Sequence, residues 1–250
     1  MLSVYDHLGL PEAAYLGKRV YKKLFFENAE SSAADRRAFT DDVEAVTWQY
    51  TLKPSTLPVS PYQDNERDYA ELAIVEVDFR EPKCALRLAG IIHRAIPYPL
   101  LLILVHNDRL AVSTAHKRAS RAERGAVVAE EIQTTGWMDG GTPNAVEQTF
   151  LESLALRQQP QSHYYALYHG WHQRLLALAC ARLTGDYRVP SSAERQSQRR
   201  ETLAECHRLE GEISRLRAEI KKETRFNRQV ELNTRIKQIE QQLRQATAGL

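Results

Sequence analysis

Leu100-Leu101-Leu102-Ile103-Leu104-Val105-His106-Asn107-Asp108-Arg109-Leu110-Ala111-Val112-Ser113-Thr114 is the stretch that decides the fold class of this chain. Its first part, residues 100–105, is a short apolar run bounded by Pro99 and a polar turn, which reads as a buried strand. Residues 106–109 supply the turn, and residues 110–114 return as a second strand, so the pair reads as a hairpin. Working outward, residues 84–95 place Leu88, Ile91, Ile92 and Ala95 at helical spacing and stop at Pro97. Residues 69–79 and 46–57 are strand-like, the latter with Trp48, Tyr50 and Leu52 alternating with polar residues until Pro54 and Pro58 intervene. Residues 58–68 read as a loop, residues 125–135 as a further strand, and residues 1–44 as mainly helical, with Ser31 or Ser32 as a cap. The expectation is an α+β fold: an antiparallel sheet with packed helices over residues 1–190.

After Asn144 the pattern is helical to residue 183, with Tyr164, Tyr165, Tyr168 and Trp171 on a helix apolar around much of its circumference. Such rings belong to a core before they form a base-stacking platform. In residues 191–250, Leu209, Ile213, Leu216 and Ile220 recur at spacings of four, three and four, as do Leu232, Ile236, Ile239 and Leu243. The twelve-residue step from Ile220 to Leu232 breaks the heptad register, which demands eleven or fourteen. The tail is therefore expected to be a coiled-coil-type helical hairpin turning near Arg225-Phe226-Asn227, with Asn227 as cap, or one long helix with a stutter. Its apolar stripe is the expected partner-binding surface, since a stripe of that length must meet its own second half, the globular domain or another chain.

Composition narrows the function classes. The formal net charge of +2 hides a tail of 13 Lys/Arg against 9 Asp/Glu, with 21 against 23 in residues 1–190. The three cysteines are far apart, with no CxxC pair, which suits reduced thiols and a cytoplasmic chain. The longest apolar run is too short for a bilayer and the first residues lack the pattern of a secretory leader, so no membrane is expected. Neither GxxxxGK[ST], GxGxxG nor HExxH occurs, and no cofactor or metal is expected.

Two constellations remain. Glu76 and Asp78 project from one face of a strand; with Asp64 or Asp68 upstream and Lys117 on a later strand they suggest a degenerate metal-dependent nuclease of restriction-endonuclease type, although the lysine such a site wants two residues after the acid is absent. Lys117, Arg118, Arg121 and Arg124 form a basic cluster suited to phosphates, and Lys18, Arg19, Lys22 and Lys23 a second. The histidines fall into two groups, His163, His169 and His172, and His93, His106 and His116, without acids or thiols at ligand spacing.

The order of several short motifs is itself informative. Leu10-Pro11, Lys22-Lys23, Trp48-Gln49-Tyr50-Thr51-Leu52-Lys53-Pro54, Ala95-Ile96-Pro97-Tyr98-Pro99, Thr135-Gly136-Trp137 and the run from Lys221-Lys222-Glu223 to Glu231-Leu232-Asn233 together resemble a family of bacterial proteins known only as a domain of unknown function. The resemblance implies a protein encoded beside helicases and DNA methyltransferases in restriction-modification or antiphage-defence loci. It implies no catalytic residue. The combined expectation is a non-enzymatic accessory subunit that docks through its tail onto such a helicase or methyltransferase, with a second copy and DNA left open as further partners.

Overall fold

The structure, a computed structural model, describes residues 4–27, 32–123 and 125–250. Ser31 and Arg124, named above as a cap and a phosphate contact, lie outside the described residues. The chain divides into two compact units, Met1–Leu175 and Leu176–Leu250.

The first unit is built on the sheet that residues 100–114 announce. Strands β1 (Tyr15–Arg19), β2 (Val43–Leu52), β5 (Leu72–Phe79), β6 (Leu100–His106), β7 (Arg109–Ala119) and β8 (Val127–Thr134) run in spatial order β1-β2-β5-β6-β7-β8, with the short β9 (Met138–Asp139) also on β7. The β6–β7 hairpin closes at Asn107, whose φ of 51° is a left-handed value that asparagine tolerates better than most residues. One neighbour pair departs from the antiparallel expectation: β5 and β6 are parallel. The reason is the connection, since helix α4 (Ala85–Ala95) carries the chain back across the sheet between them. Burial reflects this sandwiching, because Val75, Val77, Leu102 and Leu104 meet Leu88, Ile91 and Ile92 of α4 in one apolar core.

Two further expectations are corrected. Residues 1–44 contain the helices α1 (Val4–Leu8), α2 (Lys23–Glu27) and α3 (Ala33–Asp42), but also β1, an edge strand exposed along its whole length. Residues 58–68 hold β3 (Tyr62–Gln63), which pairs with β4 (Asp68–Tyr69) in a second small sheet. Where local signals are strong they hold: Ser32 caps α3 in a reciprocal capping box with Asp35, and Asn144 does the same with Glu147 for α5 (Ala145–Ser153).

Helix α6 (Tyr164–Thr184) crosses the division between the units. In the first unit its Tyr164, Tyr168 and Trp171 are fully buried, as core residues rather than a platform. The Tyr168 hydroxyl donates to Leu100 O at 2.8 Å and accepts from Ala115 N at 2.9 Å, tying the start of β6 and the middle of β7 to the helix.

The second unit contains α7 (Ala193–Ile220) and α8 (Phe226–Thr247), which lie antiparallel on either side of a turn at residues 221–225. The step that breaks the heptad register is thus where the chain reverses. Leu209, Ile213 and Leu216 pack on Leu232, Ile236 and Ile239, with Ile220 and Leu243 at the margins. Ion pairs bridge the helices from Arg235 to Glu212 at 2.8 Å and from Arg217 to Glu240 at 2.9 Å. Asn227 does not cap α8, because the helix begins one residue earlier and Arg225 stands at the cap position without a side-chain bond to the helix amides. Glu223 takes over the turn instead, its Oε1 accepting from the amides of Thr224 and Arg225 at 2.9 Å each.

Candidate functional site

Lys117 is the residue that both sequence-derived constellations share, and its surroundings decide what either can do. It sits on β7 and is only 2% exposed. Its Nζ donates to His93 O and, at 2.6 Å, to Ile96 O, two carbonyls at the C-terminal end of α4 that the helix itself leaves without partners. The amine is in effect the cap of α4, where a positive charge also suits the helix dipole. Burial pushes its pKa down to about 7.

That placement separates the nuclease constellation. Glu76 and Asp78 alternate along β5 with Val75 and Val77, which face α4, so the two acids leave the sheet on the opposite side from Lys117. Glu76 accepts from the Tyr5 hydroxyl of α1 at 2.7 Å and from Gln49 Nε2 at 2.9 Å. Asp78 is half-buried, and burial, then the neighbouring Glu76, raises its carboxyl above the usual range. Asp64 and Asp68 lie in and beside the β3–β4 turn, where Asp64 accepts from the amides of Glu66 and Arg67 at 2.8 and 2.6 Å. The structure brings Asp64, Asp68 and Lys117 to one cleft of about 470 Å³, whose lining also includes Glu66, Arg67, Glu71, Pro97-Tyr98-Pro99 and Arg118. Glu76 and Asp78 have no part in it. Among the described residues, no group of three or more His, Cys, Asp or Glu side chains could hold a metal ion.

The basic cluster is brought together but also neutralised. Arg118 Nε pairs with Glu130 of β8, Arg67 reaches the other oxygen of the same carboxylate at 3.5 Å, and Arg121 pairs with Glu66 at 2.7 Å. The Arg67 guanidinium also lies 5.5 Å from the centre of the Tyr165 ring. Sequence reasoning saw few acids between the cations; the neutralising acids come from the β3–β4 turn and from β8.

An arrangement that sequence reading did not find joins the two histidine groups. His116 Nδ1 lies 2.8 Å from the Tyr69 hydroxyl and its Nε2 3.2 Å from His169 Nδ1, while His172 Nδ1 lies 3.0 Å from Thr114 Oγ1. The rings of His116 and His172 are 4.6 Å apart. Burial, then the adjacent His172 and His169, pushes His116 down to about 2, and burial holds His93 well below its ordinary value. A hydrogen-bonded file of Tyr69, His116 and His169 fastens β7 to α6. The Tyr69 hydroxyl also accepts from Lys117 N at 3.0 Å, and the separation of His116 from His169 along the chain left no local spacing to recognise.

The expected partner-binding residues Leu209, Ile213, Leu216, Leu232, Ile236 and Ile239 are likewise buried, against each other. The tail's free surface is its charged flanks and its turn, where Phe226 is 75% exposed and Val230 is also open. Phe226 was legible as a turn residue in the sequence but not as an exposed ring.

Among the described residues, no helix is long and apolar enough to cross a membrane. Cys84, Cys180 and Cys206 are free thiols. No curated protein and no solved structure matches the chain. A family model does match, over residues 8–243, and the chain belongs to that family, described as Domain of unknown function (DUF4391).

Proposed function

Starting from membership of a family whose function is open, we propose that the chain is a non-enzymatic accessory subunit of a bacterial antiphage-defence or restriction-modification system. It docks through its C-terminal helix pair onto a helicase or DNA methyltransferase encoded beside it. The observation that carries this reading is the state of the tail. The helix pair satisfies its own apolar stripe, yet holds Phe226 in water on a turn stiffened by Glu223, with Lys221, Lys222 and Arg225 around it. A large apolar side chain fixed in solvent at the end of an otherwise self-sufficient element is the kind of anchor that protein partners bury. The docking contact therefore shifts from the stripe, which is occupied, to the turn.

The absence of catalysis in this reading is supported by the division of Glu76, Asp78 and Lys117 between two faces of the sheet, and by the use of Lys117 as a helix cap. The test is co-expression of the intact chain with its neighbouring helicase and methyltransferase, followed by purification. The intact chain should carry one of them through; Phe226→Asp should lose it while melting at the same temperature. Retention of the partner by a chain lacking residues 191–250 would refute tail docking. Magnesium-dependent cleavage of DNA that vanishes in Glu76→Ala would replace the whole reading by the nuclease one.

A further inference from the structure

Residues 13–26, Ala-Ala-Tyr-Leu-Gly-Lys-Arg-Val-Tyr-Lys-Lys-Leu-Phe-Phe, contain four cations and no acid. They hold the second basic cluster of the sequence, which the docking reading leaves unused. Their fold is unlike that of residues 116–121. β1 is the edge of the main sheet and, among the described residues, pairs with β2 alone, through Tyr15 with Tyr50, Lys18 with Trp48 and Arg19 with Thr47. Beyond the strand, Lys22 turns inward, its amine donating to the carbonyls of Thr40 and Val43 at the end of α3, so it serves the fold as Lys117 does. Lys18 and Arg19 stay on the surface. Arg19 donates to Glu44 O at 3.2 Å, a main-chain contact that leaves its charge in place, although the carboxylate of Asp78 is close enough to interact with it. Beside these cations Tyr21 is 80% exposed, while Tyr15 is 56% exposed with its ring packed edge-on to Tyr50 at 5.3 Å, and Leu16 is also on the surface.

An open sheet edge with apolar side chains invites strand addition by a second copy. Two features argue against that occupant. The pairing register slips between Tyr15 and Lys18, and Gly17 sits at φ +58°, so the strand is bulged where a new strand would have to align. A symmetric copy would also bring Lys18 and Arg19 against their own equivalents, a like-charge contact that edge strands use to prevent such pairing. What the bulge leaves presentable is the side chains: the open ring of Tyr21 and the outer side of Tyr15, spaced by cations. That combination suits a chain that is itself a flexible polyanion with unstacked bases. In a duplex the base faces are already covered.

We propose that the β1 edge and the turn after it, through Tyr15, Lys18, Arg19 and Tyr21, form a binding site for single-stranded nucleic acid. Tyr21 stacks on a base without reading sequence, the outer side of Tyr15 adds a second contact, and Lys18 and Arg19, which leave the strand on opposite faces, meet phosphates where the bound chain crosses the sheet edge. The site is independent of the tail, so it stands or falls apart from the docking reading.

The test is fluorescence anisotropy of a labelled 20-nucleotide oligothymidylate titrated with the intact chain across a range of salt concentrations. Binding should weaken as salt rises, and Tyr21→Ala should weaken it by roughly 5- to 100-fold, the range for loss of one stacked base. Lys18→Ala with Arg19→Ala should reduce the steepness of the salt dependence by about 1.4, or 0.7 for each phosphate contact removed. Arg121→Ala, at the neutralised cluster, should change neither quantity, and all variants should melt with the parent because the positions are exposed. Four results would overturn the proposal: no binding at low salt, binding indifferent to Tyr21→Ala and to the double variant, equal affinity for a duplex of the same length, or a dimer that Leu16→Pro dissociates. The last would assign the edge to a second copy.

Discussion

The two compact units treat their chemistry-bearing residues in opposite ways. In the first, polar groups that look reactive in the sequence are turned inward and engaged with one another: Lys117 with α4, Glu76 with Tyr5 and Gln49, Arg118 with Glu130, His116 with Tyr69 and His169. In the second, the apolar stripe that looks like an interface is turned inward, and the outside keeps ion pairs of long, mobile side chains together with one uncovered ring at the turn. The difference teaches that a motif has to be weighed with its partners from elsewhere in the fold. A buried lysine on a strand is a helix cap once the carbonyls near it are known, and a heptad stripe is a filled seam once the chain is seen to reverse.

The comparison can be broken most forcefully at the seam. Ile236→Ala should destabilise the helix pair by about 2–5 kcal/mol, the range for a large apolar side chain truncated in a packed core, visible as loss of helical circular dichroism at lower urea. If the stripe were instead held open for a partner, the loss would be a few tenths of a kcal/mol and would appear only in binding.

A pH series sharpens the other side. His93 and His116 are held neutral in the folded first unit, while in the unfolded chain histidine titrates near 6.5. Below that pH the unfolded state binds more protons, so stability is complete above about 6.5 and falls with acid by about 1.4 kcal/mol per pH unit for each histidine. Lys117, depressed to about 7, has the same sign in another window: the unfolded chain carries the extra proton between about 7 and 10.5, so stability rises with pH across it. Urea midpoints at several pH values check both, and His116→Gln should flatten the acid limb by about one histidine. A profile flat from pH 5 to 9 would mean these groups are not buried as described.

The smallest effect tests the neutralised cluster. Glu130→Gln should cost about 1 kcal/mol or less, because the pairs with Arg118 and Arg67 are partly exposed and screened by solvent. It should also leave two guanidinium groups without their carboxylate and thereby strengthen non-specific, salt-sensitive binding to nucleic acid, as measured by anisotropy. Unchanged binding would show that Glu130 does not set the charge of that surface.

How much of this was legible in the sequence depended on whether the signal was local. The β6–β7 hairpin, α4 with its stop before Pro97, Ser32 as one of two candidate caps and the register break between Ile220 and Leu232 were all readable, because each is written in neighbouring letters. β1 was not, since an edge strand exposed on both faces carries no alternation, and Lys18 and Arg19 inside it look like any soluble segment. The parallel pair β5–β6 follows from α4 standing between them, but reading the segments one by one hid that consequence. The candidate site was least legible. The role of Lys117 depends on His93 O and Ile96 O, main-chain atoms more than twenty residues away that no side-chain letter marks. The neutralisation of Arg118 and Arg121 depends on Glu130 and Glu66, which belong to other strands and turns. Phe226 was readable as a residue of the turn but its exposure was not, because burial is a property of the folded pair.

The most direct test of the docking claim is hydrogen–deuterium exchange on the intact chain, alone and in the presence of the co-purified helicase or methyltransferase. The account predicts slowed exchange centred on residues 220–232, around Phe226, while the seam from Leu209 to Leu216 is already slow in the free protein and gains little. Protection that appears only in the first unit, or that spreads along the seam because the helix pair opens to receive the partner, would contradict it.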